Sequence, residues 1–392
     1  MKRIPLVVRL FFAASLGIAL GLVLPDEVMR GLKTFQAIFL QLIKFLVPLI
    51  ILGFVIPAIA ETGRGAGRAL IVTLTLAYVS TLFSGSFSYF VSSKMFPSLL
   101  SVDSGSTASA VKTFSSFFTL EIPPVADVLT TLILSFVVGL GIVVTKADLL
   151  LEGVKQFRGI VEWALQKLFV PILPLYIVTV MAEISASGRL SAIAGSAVLL
   201  ALTALGITLS VLFVQYVLAG LFARRNPLKA FATMLPSYLT GWATCSSAAT
   251  IPVSLRQMRK NDVSDETVNL VVPLCANIHL AGSMANIVAA AVAVVVIFGE
   301  PLSIGAFISF ILMMSVVAVA SPGVPGGCVV AAGAFVGSTL GFTEEHYALL
   351  VAFYMVLDGM GTACNLTGDG AIAIIVDKFI SRNSSVNGKN RV

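Results

Sequence analysis

Residues 355–376 read MVLDGMGTACNLTGDGAIAIIV, an apolar run long enough to cross a bilayer that nevertheless carries two carboxylates, Asp358 and Asp369. Asp358, Thr362, Asn365 and Asp369 are spaced by four, three and four residues. On a helix that spacing stacks all four on one face over three turns. Ionised side chains at membrane depth are costly, and they persist where they face a cavity, a partner or a passing solute. A stripe that only glues two helices together seldom needs two acids, and no Arg or Lys lies within the stretch to pair them.

The rest of the chain extends this reading. Of its 392 residues, 58% are hydrophobic and 11% charged, with a mean hydropathy of +1.01, which excludes an ordinary soluble domain. Apolar runs recur from end to end, too long and continuous for barrel strands, so an all-α integral membrane protein lying in a lipid bilayer is predicted. The first run, Leu6 to Leu24, follows Lys2 and Arg3 as a signal peptide would, but lacks a small-residue cleavage site and is read as a retained helix.

The net charge of +6 is a topological signal and not a nucleic-acid one, because basic residues cluster in alternate loops. One side collects Lys2, Arg3, Arg9, Arg64, Arg68, Lys146, Lys155, Arg158, Arg224, Arg225, Lys229, Arg256, Arg259 and Lys260, and the tail with Lys378, Arg382, Lys389 and Arg391. The other holds Arg30, Lys33, Lys112 and Arg189. Both termini are therefore expected on the cytoplasmic side.

Full spans are expected at about 6–24, 36–60, 68–96, 124–145, 158–183 and 191–223, with Pro171 and Pro174 kinking the fifth. The Ser- and Thr-rich stretch from Pro97 to Pro123 reads as an extracellular loop. Past Arg224 the pattern changes. Residues 229–258 form two apolar halves broken by TGWATCSSAATIP, and 303–341 repeat the design around SPGVPGG. Between them, 266–298 are interrupted by PLCANIHLAGS. Such breaks at mid-membrane are tolerated where they line a cavity. The order is hairpin, broken helix, hairpin, broken helix. By the charge rule the first hairpin starts inside and the second outside, which is an inverted repeat and points to a transporter binding site.

These pieces resemble the dicarboxylate/amino acid:cation symporter family, the glutamate transporter homologues. The likeness rests on CSSAATIPV at 245–253, PLCANIHLAGS at 273–283, SPGVPGG at 321–327 and the D-x-x-x-T-x-x-N-x-x-x-D set at 358–369. It implies eight transmembrane helices with two re-entrant helical hairpins, arranged as a homotrimer with an elevator-type mechanism. Residues 1–223 would be mainly scaffold, with the third helix packing on the core. Residues 224–380 would be the transport core: hairpin one 229–258, broken helix 266–298, hairpin two 303–341 and last helix 345–378. A cytoplasmic tail, 381–392, would follow.

The resemblance also implies roles. Asp358 would bind the substrate's amino group, and Asn365 its α-carboxylate, with Thr362 lining the pocket. Ser246 and Ser247 at the tip of hairpin one would hold that carboxylate, which fits the N–H groups of a half-helix end. Val324, between Gly323 and Pro325, would close over the substrate. Asp369 would bind sodium together with carbonyls of Asn365, His279 and Cys275, since hard cations take oxygen ligands.

The departures are as informative. Acidic-substrate members carry Arg where this chain has Gly361, and often where it has Cys245. Without those cations a second substrate carboxylate would be buried unpaired, so a small neutral amino acid is favoured over glutamate or aspartate. The pattern is closest to the sodium/serine-threonine symporter branch. The family's Asn and Asp that help bind a third sodium are replaced by His279 and Ala281. In the third helix Tyr78 and Thr81 remain but Leu82 replaces a serine, so that site is expected to be absent or rebuilt.

The function expected is cation-coupled symport of a small neutral amino acid such as serine or threonine across a bacterial inner membrane, with sodium as coupling ion and no cofactor. Three alternatives stay open: a proton-coupled carrier using His279, since histidine titrates near neutral pH; an uncoupled carrier; and a symporter of dicarboxylates or acidic amino acids. His279 is equally readable as a neutral ring standing where an Asn amide used to be, and His346 as a solvated residue at the outer mouth. The four cysteines, Cys245, Cys275, Cys328 and Cys364, sit among small residues without a CxxC pair, so neither disulfides nor a soft-metal site are expected. SPGVPGG lacks the Lys-Ser/Thr of a phosphate loop, and no hydrolase signature is present, so an enzyme is not expected.

Overall fold

In the computed structural model, residues 6–63, 68–100, 114–186, 190–317, 326–333 and 335–389 are described. Val324, Gly323 and Pro325 at the expected tip of hairpin two lie outside them, as do Arg64, Lys112 and Arg189 among the loop charges. Among the described residues the chain is helical, without strands.

The first helices follow the apolar runs: α1 (Leu6–Val23), α2 (Asp26–Gly63), α3 (Arg68–Leu99) and α4 (Val128–Thr145). The second is longer than the apolar run expected at 36–60, because Asp26 and Glu27 favourably start a helix ten residues earlier. The single span expected at 158–183 is instead two helices. α5 (Asp148–Ala164) is two-faced, burying Leu151 and Val161 while Leu149 and Trp163 are exposed. A π turn at Leu165–Phe169 leads into the apolar α6 (Val170–Ala186), and the axis turns by 51° between Asp148–Phe169 and Pro174–Glu183. Prolines there remove ladder donors, so the bend falls where Pro171 and Pro174 place it.

α7 (Leu190–Ala223) precedes hairpin one, made of α8 (Pro227–Thr244) and α9 (Ser247–Lys260). Asn226 caps α8 through its side-chain oxygen, with Pro227 at the first helical position. Cys245, in the left-handed conformation at φ 49°, ends it. The interrupted segment is α10 (Asp265–Ile278) and α11 (Ala281–Ile297). Hairpin two has an outward limb α12 (Ile304–Val317) and a return limb split into α13 (Gly327–Ala332) and α14 (Val336–Leu340). At Gly333, the C-cap of α13, any Cβ would collide with the ring of Tyr347. α15 (Glu344–Lys389) runs unbroken through the acidic stripe and on past residue 381.

Two groups of helices result. α1, α2, α4, α5 and α6 pack on one another, and α3 and α7 join α8 to α15 around a common core. A cavity of about 760 Å³ lies between the groups, lined by Phe54, Leu74, Tyr78, Phe136, Arg158 and Asn277 among others. α11 is buried on every side from Ala281 to Val295 and is mostly Ala and Val, its Gly, Ala and Ser residues permitting the close approach of neighbouring helices. Among the described residues four helices are long and apolar enough to cross a membrane: Ala69–Leu99, Gly195–Ala223, Asp265–Ile297 counted through its break, and Glu344–Phe379. The bent pair of α5 and α6 makes a fifth if it is taken as one span.

Candidate functional site

The polar stripe of α15 is buried among other helices. Asp358, Thr362, Asn365 and Asp369 are each at most 5% exposed. At 1.5 Å per residue the two acids stand about 16 Å apart along the axis. Different breaks in the neighbouring helices meet the stripe at different heights.

At the Asp358 end, hairpin two arrives first. Gly326 donates its backbone N–H to Asp358 Oδ2 at 2.9 Å. Gly326 is the N-cap of α13, with φ 77°, and provides no side-chain cap itself. Asp358 therefore satisfies an N–H that a helix start would otherwise leave unpaired. Hairpin one arrives beside it. A Cβ at Gly359 would stand 2.7 Å from the Trp242 carbonyl and 3.2 Å from Cys245 Sγ, so the end of α8 lies directly on the turn that carries Asp358. Ser246 caps α9, its Oγ accepting from the Ala249 N–H at 3.4 Å, and Ser247 is buried in the first turn.

In the middle, α11 crosses α15 closely. A Cβ on Gly282 would overlap the Gly361 carbonyl and come within 2.5 Å of Cys364 Cβ. Gly361 answers in kind, since a Cβ there would stand 2.9 Å from Asn286 Nδ2 and 3.2 Å from the Ser283 backbone. Its missing side chain thus has a packing reason alongside any effect on the pocket. Asn286 is fixed by donating Nδ2 to the Leu357 carbonyl at 2.7 Å. Asn365 caps α11 from across the crossing. Its Oδ1 accepts from the N–H groups of Gly282 (2.7 Å) and Ser283 (3.2 Å), and its Nδ2 donates to Ser283 Oγ at 2.9 Å. Leu280, the cap residue by position, makes no side-chain cap bond. Among the described residues the Asn365 amide uses one of its two hydrogens, in the bond to Ser283 Oγ.

At the far end the break between α10 and α11 meets Asp369. His279 ends α10, with its N–H on the Cys275 carbonyl at 2.9 Å. Its ring Nδ1 lies 2.8 Å from Asp369 Oδ1, both side chains fully buried. Its Nε2 lies 3.0 Å from Ser80 Oγ on α3, and Ser80 accepts from Gln215 Nε2 of α7 at 2.7 Å. Each group in that chain finds a partner if Gln215 donates to Ser80, Ser80 to His279 Nε2, and His279 Nδ1 to the carboxylate. Asp369 Oδ2 and Gln215 Oε1 are buried without a hydrogen-bond partner among the described residues.

Several of these residues escape a motif reading. Ser80, Ser84 and Ser88 stand four apart on α3. Ser84 and Ser88 donate to the carbonyls of Ala281 and Ala285, each at 2.6 Å, so the serine row tracks α11. Thr81 donates instead to its own helix at Ala77, and Tyr78 is 38% exposed. The four-residue serine period was the available signal. For Gln215 it was a lone amide within VLFVQYVLA, residues 211–219. The cysteines are all buried, Cys364 Sγ donating to the Thr208 carbonyl at 3.6 Å, and among the described residues no cluster of three His, Cys, Asp or Glu could hold a metal ion. His346 is also buried, 4.0 Å from the Phe298 ring and 3.2 Å from Glu300, so it is a packed residue and not a solvated one.

Comparison with known proteins places the chain among membrane transporters. A model of the sodium:dicarboxylate symporter family matches residues 6–379. The serine/threonine transporter SstT of Acinetobacter baumannii (strain ATCC 17978) is 27% identical, over 98% of this chain and 99% of its own length. The protein of the same name from Acinetobacter baylyi is 24% identical over 96% and 98%. A putative sodium-dependent excitatory amino acid transporter of Caenorhabditis elegans, glt-4, is 28% identical over 45% of this chain and 35% of its own.

Proposed function

Since the chain belongs to the sodium:dicarboxylate symporter family, and is thus a multi-pass membrane transporter and not an enzyme, we propose that it is a sodium-coupled symporter of a small neutral amino acid such as serine or threonine. The observation that carries this is the stripe itself. Two buried carboxylates, one beside both hairpins and one at the break of the interrupted helix, share a face with an amide whose second hydrogen has no acceptor among the described residues. A zwitterion suits the upper part, its ammonium on Asp358 and its carboxylate on Asn365 and the start of α9 at Ser246 and Ser247. The resemblance assigns Val324, which lies outside the described residues, to closing over the substrate. A sodium ion suits Asp369, with carbonyls of Asn365, His279 and Cys275.

Neutral substrates are favoured because Cys245 and Gly361 offer no cation to a second carboxylate, which would cost several kcal/mol to bury unpaired. The names of the Acinetobacter relatives support the same class. The working assembly is an elevator-type homotrimer of eight spanning helices and two re-entrant hairpins in the bacterial inner membrane, both termini cytoplasmic, the cavity between the helix groups being the plane along which the core moves. Competition for bound radiolabelled serine tests the substrate class. Threonine and alanine should displace it and aspartate should not; displacement by aspartate at equal concentration would overturn the neutral-substrate reading.

A proton-driven carrier is the second reading, favoured by the contact between His279 and Asp369.

A further inference from the structure

A carrier that delivers its cargo must return empty, and the empty state leaves Asp369 buried without its cation. A carboxylate in that position needs a donor. His279 Nδ1 supplies one at 2.8 Å. We propose that His279 is a built-in stand-in for the coupling cation, held on Asp369 by Ser80 and Gln215 in the empty carrier and displaced when the ion arrives. This rests on the sodium-coupled reading above.

The seat for the ring is specific. Three helices build it: α3 gives Ser80, α7 gives Gln215 and α15 gives the carboxylate. Gly368, next to Asp369, makes room for it. A Cβ there would stand 2.5 Å from Gln215 Oε1 and 2.8 Å from His279 Cε1. The ring is a donor of fixed direction. Gln215 donates to Ser80, which leaves the hydroxyl hydrogen for Nε2 and puts the imidazole hydrogen on Nδ1, facing the acid. Among the described residues Asp369 Oδ2 is a buried oxygen left without a partner, the kind of ligand a hard cation takes. Entry of the ion therefore exchanges one donor on Asp369 for a cation and requires the ring to give up Oδ1. No proton leaves His279 in that exchange. Ser80 and Gln215 act through the ring and are positioning residues.

Two consequences separate this from a structural role. Removing the ring should raise sodium affinity, because the ion no longer competes with a tethered donor. It should also slow the empty return, because Asp369 then crosses without a partner. The test uses the full chain, purified for binding and reconstituted for transport. Sodium affinity is read from the thermal shift of the purified protein, with choline chloride holding ionic strength constant. Exchange of internal for external serine is compared with net uptake in proteoliposomes.

For His279→Leu, which removes the donor without adding an oxygen ligand, the half-saturating sodium concentration should fall roughly tenfold, the worth of one hydrogen bond to a charged group. Net uptake should slow relative to exchange. Ser80→Ala and Gln215→Leu, which keep the ring but loosen it, should move both readouts the same way by roughly threefold. If His279→Leu does not fold, these two carry the test. A wild-type sodium response that the variants leave unchanged or weaken overturns the stand-in role alone, as does an equal loss of exchange and net uptake. A wild type without any sodium response removes both this role and the sodium-coupled reading.

Discussion

Asp358 and Asp369 are both buried carboxylates on α15, yet they are held by different donors. A backbone N–H from hairpin two holds the first, and an imidazole from the interrupted helix holds the second. The difference matters for what each can bind. The Gly326 N–H can be replaced by a substrate ammonium, which brings a full charge where the amide brings a dipole. Asp358→Asn keeps the shape and removes the charge, so serine affinity should fall about tenfold to a hundredfold by calorimetry, the worth of a charge-assisted contact; an unchanged affinity would exclude Asp358 from the ammonium site. Asp369→Asn should weaken sodium binding and, because the coupling between ion and substrate is reciprocal, also weaken serine binding measured at sub-saturating sodium. A large change in one affinity without the other would show that Asp369 does not couple them.

The elements place these residues through close crossings. Gly282 and Gly361 let α11 and α15 touch, and Asn365 closes the start of α11 from the other helix. Gly282→Ala should therefore cost about 1–3 kcal/mol, read as reduced thermal stability in detergent, because its Cβ meets backbone and Cys364 Cβ and not a yielding side-chain tip. Full stability in that variant would contradict the close crossing.

At this scale the sequence is partly legible. The acidic stripe shows in the four-three-four spacing of α15, and the breaks in α8–α9 and α10–α11 show because polar and glycine residues interrupt apolar runs. What it hides depends on which helices cross. Nothing in PLCANIHLAGS says that the His279 ring meets Asp369 and Ser80 at once, since that contact joins residues 90 and 199 positions apart. The helix α5 was hidden for another reason. Residues 148–157 fall between the spans expected at 124–145 and 158–183, among the loop charges Lys146, Lys155 and Arg158, and the burial of Leu151 and Val161 that makes them part of a helix appears only in the fold. Gly361 reads in sequence as a lost cation, while the fold gives it a neighbour as well.

At the scale of the whole molecule, the stripe, both hairpins and the interrupted helix belong to one packed group, which a cavity of about 760 Å³ partly divides from the other. On the proposed reading such a group moves as a body and carries an ion and a substrate together, because both proposed sites lie on one unbroken helix. Transport should then obey strict coupling. The direct measurement is uptake of radiolabelled serine into proteoliposomes under an inward sodium gradient, an inward proton gradient, or neither, at equal membrane potential. Accumulation above the external serine concentration with the sodium gradient alone is the expected result. Accumulation driven only by the proton gradient, or mere equilibration under all three conditions, would contradict sodium-coupled symport.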